Sequence, residues 1–174
     1  MLPAAFLACS DSDELISHRY ACRFVFDEQM HPTSLLFAAV KSPGTYVSVT
    51  TTGDGRTTVR HVYVTSNDGK TPQEDNIIRT DRENYTAFQL GASNSIGLIV
   101  GCTNFSGIVA YDRSCPNCAS LQTLSWSGNR QQVDCPKCHR TYSLETAAIL
   151  SGDAGDALLR YSANYNGSRL LVSN

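Results

Sequence analysis

Four cysteines in two closely spaced pairs are the residues of this sequence with the clearest capacity for chemistry. They occur as CPNC at residues 115–118 and CPKC at residues 135–138, and they are four of the seven cysteines in the chain. A Cys-x-x-Cys pair forms a tight turn, called a knuckle here, that directs both sulfurs to one point, and the proline in each pair fixes φ for that turn. Two knuckles at this spacing are typical of a tetrahedral metal site. The predicted metal ligands are Cys115, Cys118, Cys135 and Cys138.

Disulfide formation is the alternative chemistry for the same four thiols. In an oxidising compartment the cysteines of one knuckle can pair with each other, or with those of a facing knuckle. Cys22 and Cys102 lie in apolar segments, where a free cysteine behaves as a small buried hydrophobe. The alternative is a disulfide between these two residues. The sequence therefore leaves metal and disulfide chemistry open at the knuckles.

Short apolar segments with turn signals between them indicate the elements that must hold the knuckles. Segments such as RFVF, YVSVT, HVYVT and GLIVG have the length and composition of strands. Asn67-Asp68-Gly69 and Asn166-Gly167 are hairpin signals, because primed turns need φ > 0 at their centre. SLLFAAV at residues 34–40 fits either a short helix or a buried strand. The pattern predicts an all-β fold, either an antiparallel sandwich or a partly open barrel.

Composition and charge exclude several classes of function. The formal net charge is −2 and the pI is about 6.0, and the basic residues are scattered, which argues against a nucleic-acid surface. No apolar stretch is long enough to span a bilayer. The sequence contains neither a glycine-rich phosphate loop nor a nucleophile elbow. A binding or structural role is therefore favoured over catalysis.

The segments around the knuckles resemble the Rieske [2Fe–2S] domain family in their order. The resemblance is carried by IVAYDRSCP, VDCPKCHRTYSLET and SGDAGDALLRYSANYNGSRLLV, while SPGTYVSVTTTG resembles the early strand of the family. It implies a Rieske-like antiparallel β-sandwich over residues 21–174, with a small two-knuckle metal-binding subdomain at residues 110–145. Residues 53–95 would then be an insertion after the early strand.

The ligands depart from the Rieske pattern, in which two cysteines and two histidines hold the two irons. Cys115 and Cys135 match the two cysteines, but Asn117 and Cys138 occupy the histidine positions, and Cys118 is additional. The resemblance therefore implies a zinc-ribbon-like or rubredoxin-like site of four cysteines. Zinc is the expected cofactor, because closed four-cysteine sites are usually structural. An iron ion or a [2Fe–2S] cluster for electron transfer is the alternative, and a metal-free fold with two disulfides is a further one.

The N-terminal segment MLPAAFLACSDSDEL resembles the lipobox of bacterial lipoproteins, in which small and apolar residues precede a cysteine that becomes lipidated. The resemblance implies a signal-like segment at residues 1–9, lipidation of Cys9 and a linker at residues 10–20. The protein would then be anchored to a membrane of the bacterial cell envelope, facing the periplasm or the cell exterior, with a protein partner that the sequence does not identify. The alternative is that the apolar residues pack on the domain.

Three further positions have predicted roles beside the site. His139 is a candidate to donate an N–H to a cysteine sulfur, and an exposed loop histidine is the alternative. Trp126 is expected to cover the metal subdomain rather than to form an exposed recognition residue. Asp112, next to Arg113, is expected to make an ion pair or a turn hydrogen bond at the entry to the first knuckle.

Overall fold

The computed structural model describes residues 15–128 and 130–174. The predicted signal-like segment at residues 1–9, the lipidation of Cys9 and the first part of the predicted linker lie outside the described residues. The described part of the chain forms thirteen strands and two short helices.

The strands are β1 (Cys22–Asp27), β2 (Thr45–Thr52), β3 (Arg60–Ser66), β4 (Glu74–Ile78), β5 (Gln89–Leu90), β6 (Leu98–Cys102), β7 (Ile108–Asp112), β8 (Ser125–Trp126), β9 (Gln132–Asp134), β10 (Thr141–Ser143), β11 (Ile149–Ser151), β12 (Arg160–Tyr165) and β13 (Arg169–Ser173). The helices are α1 (Leu35–Lys41) and α2 (Asp81–Asn84).

The strands form a large and a small antiparallel sheet. The large sheet has nine strands in the order β4-β3-β2-β6-β7-β12-β13-β1-β5, and the small sheet has four in the order β11-β10-β9-β8. The predicted all-β fold is therefore confirmed. Both predicted hairpin signals lie in hairpins, with Gly69 at φ 66 between β3 and β4 and Gly167 at φ 90 between β12 and β13. Neither helix of the described residues has the length and apolar character needed to cross a membrane.

Helix α1 resolves the ambiguous SLLFAAV segment in favour of a helix. Ser34 is its N-cap and accepts a hydrogen bond from the Leu36 N–H at 3.3 Å, and Glu74 of β4 accepts from the Leu35 N–H at 2.8 Å. These bonds satisfy N–H groups that a helix start leaves without partners. The apolar face of α1, including Leu36 and Phe37, is buried against the large sheet.

Two hydrophobic cores lie on opposite faces of the large sheet, because successive side chains of a strand point to opposite faces. In β7, Ala110 faces the first core with α1, whereas Val109 and Tyr111 face the second core. The second core fills the space between the large sheet and the small sheet, and it includes Cys115 and Cys135. The two sheets and this core between them fix the position of the knuckles.

Residues 15–20, which fall in the predicted linker, contact the domain. The Ser17 N–H donates to the Arg160 carbonyl at 2.7 Å, and the Asn174 side chain donates to the Ser17 carbonyl at 2.8 Å. The Arg19 guanidinium donates to the Pro116 carbonyl in the first knuckle at 2.8 Å. The predicted domain boundaries stay a prediction, but these contacts place residues 15–20 against the sheets.

Candidate metal centre

The two knuckles lie at the ends of strands that belong to different sheets. The first knuckle follows β7 of the large sheet, and the second connects β9 to β10 of the small sheet. The Cys135 N–H donates to the Arg140 carbonyl at 2.9 Å, and the His139 N–H donates to the Cys135 carbonyl at 3.0 Å, which closes the second knuckle. The cluster therefore joins the small sheet to the large one.

Asp112 fixes the chain as it enters the first knuckle. Its carboxylate is fully buried and accepts hydrogen bonds from the Ser114 N–H at 2.7 Å, the Ala92 N–H at 2.8 Å and the Tyr161 hydroxyl at 2.8 Å. The predicted turn hydrogen bond is therefore confirmed. The neighbouring Arg113 instead donates to the Leu124 carbonyl at 3.3 Å.

The four sulfurs converge on one point. The sulfurs of Cys115 and Cys138 are 3.6 Å apart, as are those of Cys118 and Cys135, and all four lie within 4.8 Å of one another. Four sulfurs at about 2.3 Å from one tetrahedral ion lie about 3.8 Å from each other. The arrangement could hold a metal ion, as the spacing predicts.

All four cysteines of the cluster are free thiols in the structure, as are Cys22 and Cys102. A disulfide needs its sulfurs about 2.05 Å apart, far closer than the pairs in the cluster. Cys22 is buried, which agrees with the small-hydrophobe reading, and desolvation raises its pKa to about 12. Cys102 is only half-buried.

The environments of the four thiols differ. Cys115 and Cys135 are buried in the second core, whereas Cys118 and Cys138 are half-buried at its outer edge. Desolvation and the adjacent thiols raise the pKa of Cys118 to about 12. At Cys138, desolvation is outweighed by hydrogen bonds from the Arg140 backbone and side chain, which lower the pKa of the thiol to about 6. A bound cation would favour all four thiolates at once, because metal binding displaces thiol protons.

Two side chains influence the sulfurs of the cluster. The Tyr142 hydroxyl lies 3.4 Å from the Cys115 sulfur and accepts a hydrogen bond from the Asn117 amide at 2.9 Å. Because that bond occupies the hydroxyl as an acceptor, its own proton is available to the sulfur. The Arg140 side chain lowers the pKa of the Cys138 thiol, while its guanidinium donates to the Asp153 and Ala154 carbonyls. Such contacts orient metal ligands and tune their basicity.

The sequence offers His139, one residue before Arg140, as a candidate for this supporting role, with an exposed loop histidine as the alternative. The His139 side chain is exposed, its φ is 56, and within the described residues no hydrogen bond joins its ring to a cysteine sulfur. Its backbone N–H closes the knuckle instead. The position of Arg140, two residues after Cys138, is the sequence signal for a cation close to that thiol. Trp126 packs against the second core, as expected of a residue that covers the subdomain.

No family model, curated protein or solved structure matches this chain. The candidate site therefore rests on its own geometry.

Proposed function

We propose that the protein is a metal-binding protein whose four cysteines hold a single zinc ion in a structural, non-catalytic role. The observation that carries the proposal is the convergence of the four sulfurs, with closest pairs at 3.6 Å and all pairs within 4.8 Å. This spacing is close to the one that a tetrahedral zinc ion imposes on its ligands. The ion would join the first knuckle, on the large sheet, to the second, on the small sheet.

The same distances favour a single ion over a [2Fe–2S] cluster. In a two-iron cluster two ligand sulfurs bind each iron, so ligands on different irons lie farther apart than ligands that share one ion. Here no pair of sulfurs is separated by more than 4.8 Å. Asn117, which occupies a histidine position of the Rieske pattern, directs its amide to Tyr142 and Asp156.

A mononuclear iron site that transfers electrons is the second candidate function. It is supported by the half-buried Cys118 and Cys138, which bring one edge of the cluster close to solvent. The hydrogen bond between the Tyr142 hydroxyl and the Cys115 sulfur also supports it, because such bonds set the reduction potential of iron–thiolate centres.

Elemental analysis of the purified protein, with an absorption spectrum and a count of free thiols, tests the proposal. One zinc per chain and no visible absorption support it. One iron per chain, with thiolate-to-iron absorption, would support the second candidate, a mononuclear iron site, in place of zinc. A metal-free protein whose knuckle thiols are all oxidised would overturn both and support the disulfide alternative.

Export and lipid anchoring at Cys9 form a separate part of the proposal, and they are supported by the lipobox-like sequence. A Rieske-like relationship is supported by the order of the segments around the two knuckles. Replacing Cys9 with Ala should move the protein from the membrane fraction to the soluble fraction while the four-cysteine site still forms. Unchanged fractionation would contradict the lipid anchor and leave the metal proposal intact.

A further inference from the structure

A groove runs along the outer side of β11, which is the edge strand of the small sheet. Its volume is about 440 Å³, and it lies between β11 and residues 152–157, called the return loop here. Small and apolar side chains line it, among them Ile149, Ala154 and Ala157, and Leu150 is 52% exposed there. Within the described residues β11 pairs with β10 alone, so its outer backbone edge has no partner strand.

The return loop is held by residues of both knuckles. Asn117 of the first knuckle donates to the Asp156 carbonyl at 2.7 Å and accepts from the Asp156 N–H at 2.8 Å. Arg140, which follows the second knuckle directly after His139, donates to the carbonyls of Asp153 at 2.9 Å and Ala154 at 3.1 Å. The outer wall of the groove is therefore attached to the same turns that carry the four cysteines.

Gly155 makes the attachment to the first knuckle possible. A Cβ at this position would lie 2.3 Å from Oδ1 and 2.9 Å from Cγ of Asn117, closer than atoms can approach. A glycine therefore lets the Asn117 side chain reach the loop backbone. If the knuckles lose their geometry without a metal, these hydrogen bonds and the groove wall are lost with them.

The backbone and charges of the groove indicate its occupant. An unpaired strand edge is complementary to an extended peptide, which can add as a further strand. A divalent ion on four thiolates carries net negative charge, and the exposed carboxylates of Asp153 and Asp156 add to it. The cations of Arg140, Lys137 and Arg19 near the knuckles offset only part of this charge. A second copy of this chain would bring the same carboxylates towards each other. The charge therefore favours a basic peptide over self-association.

We propose that this groove binds an extended segment of a partner protein that carries lysine or arginine, and that metal on the four cysteines maintains the groove. The inference rests on the proposed metal-binding function. The peptide would pair with β11, place apolar side chains against Leu150 and direct its cations to Asp153 and Asp156. The metal would act at a distance, through Asn117 and Arg140.

Selection from a random heptapeptide library, with the zinc-loaded protein as target, tests the proposal. Enriched peptides should carry lysine or arginine, shift the backbone amide resonances of residues 148–157 and lose binding when the metal is chelated. The combined Asp153→Asn and Asp156→Asn changes should weaken binding by roughly three- to tenfold, the range for exposed ion pairs, whereas Asp81→Asn should not. A selection that enriches no peptide, or peptides indifferent to these carboxylates, would overturn the proposal.

The Gly155→Ala variant tests the groove while leaving the metal site unchanged. This variant should keep one zinc per chain but lose peptide binding, with faster amide exchange in residues 152–157. Gly128→Ala is the matched control, because a Cβ there meets no atom within 4 Å. Equal peptide binding by wild type and Gly155→Ala, or by loaded and chelated protein, would contradict control by the metal.

Two further measurements distinguish failure of the proposed metal-binding function from failure of the inference about the groove. Native mass spectrometry reports metal binding directly, and a chain that binds no metal fails the proposed function and the inference together. A chain that binds one ion but shows no groove binding fails only the inference. A dimer detected by sedimentation, together with concentration-dependent shifts of the amide resonances of residues 148–157, would identify a second copy as the occupant, against the proposal.

Discussion

The large and small sheets are stabilised in different ways. In the large sheet β2 has eight residues and β3 has seven, and buried side chains from its strands fill a core with α1. In the small sheet β8 has two residues and the other strands have three each. Short strands form few ladder hydrogen bonds, and small isolated sheets are marginal in water. The small sheet therefore needs an additional source of stability.

The residues of the second core identify that source. On the side of the small sheet its buried apolar members are few, chiefly Leu124, Val133, Tyr142 and Leu144, and two buried cysteines of the cluster lie among them. Structural zinc contributes folding free energy directly, because the unfolded chain has no preformed site. From this comparison we propose that the small sheet depends on the four sulfurs and the metal that they would bind, whereas apolar burial stabilises the large sheet.

The largest expected effect is therefore local and comes from removing one ligand. Cys135→Ser should abolish tight metal binding and make residues 114–151 sensitive to protease, while the large sheet keeps its amide protection. Cys22→Ser is the control, because Cys22 is also buried but lies in the first core. If both variants loosen the molecule in the same region, the division between the two sheets is wrong.

A core truncation in the large sheet should have the opposite effect: it should destabilise the fold and leave metal affinity almost unchanged. Phe24 is fully buried in the first core, where its ring packs edge-on against Phe88 with centroids 5.3 Å apart. Phe24→Ala should lower the free energy of unfolding by about 3–5 kcal/mol, as expected for a large cavity. Metal affinity, measured by competition with a chromophoric chelator, should change little. A parallel loss of metal affinity would show that the two cores act as one.

Asp112 lies where the two regions meet, and its replacement should have an intermediate effect. Its carboxylate accepts three hydrogen bonds, so an asparagine would direct its NH₂ group at a donor. Asp112→Asn should reduce the free energy of unfolding by about 2–3 kcal/mol, as for hydrogen bonds to buried charged groups. Denaturant titration should detect this change, and Asp156→Asn, at an exposed carboxylate, should leave stability unaltered.

The smallest expected effect concerns the hydroxyl of Tyr142. Tyr142→Phe removes the donor to the Cys115 sulfur and a partner of Asn117, while the buried ring stays in the second core. We expect metal affinity to fall by about 10- to 100-fold, as for other residues that support metal ligands, with about 1 kcal/mol lost in stability. Tyr111→Phe is the control, because the Tyr111 hydroxyl donates to the Leu144 carbonyl instead. Equal metal affinities for the two variants would contradict the role of Tyr142.

The sequence predicts the large sheet and the cluster well, because both depend on local patterns. Short apolar segments mark β2, β3 and β7, Asn-Gly and Asn-Asp-Gly mark two hairpins, and the CPxC spacing marks all four ligands. The very short strands β8 and β11 leave too few residues for any periodicity. The contacts of Tyr142, Arg140 and Asn117 could not be predicted, because they join positions that only the packing of the sheets brings together. His31 is another such case, since it pairs with Glu83 at 2.7 Å although the two are distant in sequence.

X-ray absorption spectroscopy of the metal-loaded protein tests the central claim most directly. If the four cysteines act as one site, the spectrum should contain four sulfur neighbours at about 2.3 Å from a single zinc ion. A nitrogen neighbour would indicate that His139 binds the metal in place of a cysteine. A short metal–metal vector would indicate a two-metal cluster. Either result, or fewer than four sulfurs, would contradict the account of one ion that joins the two knuckles.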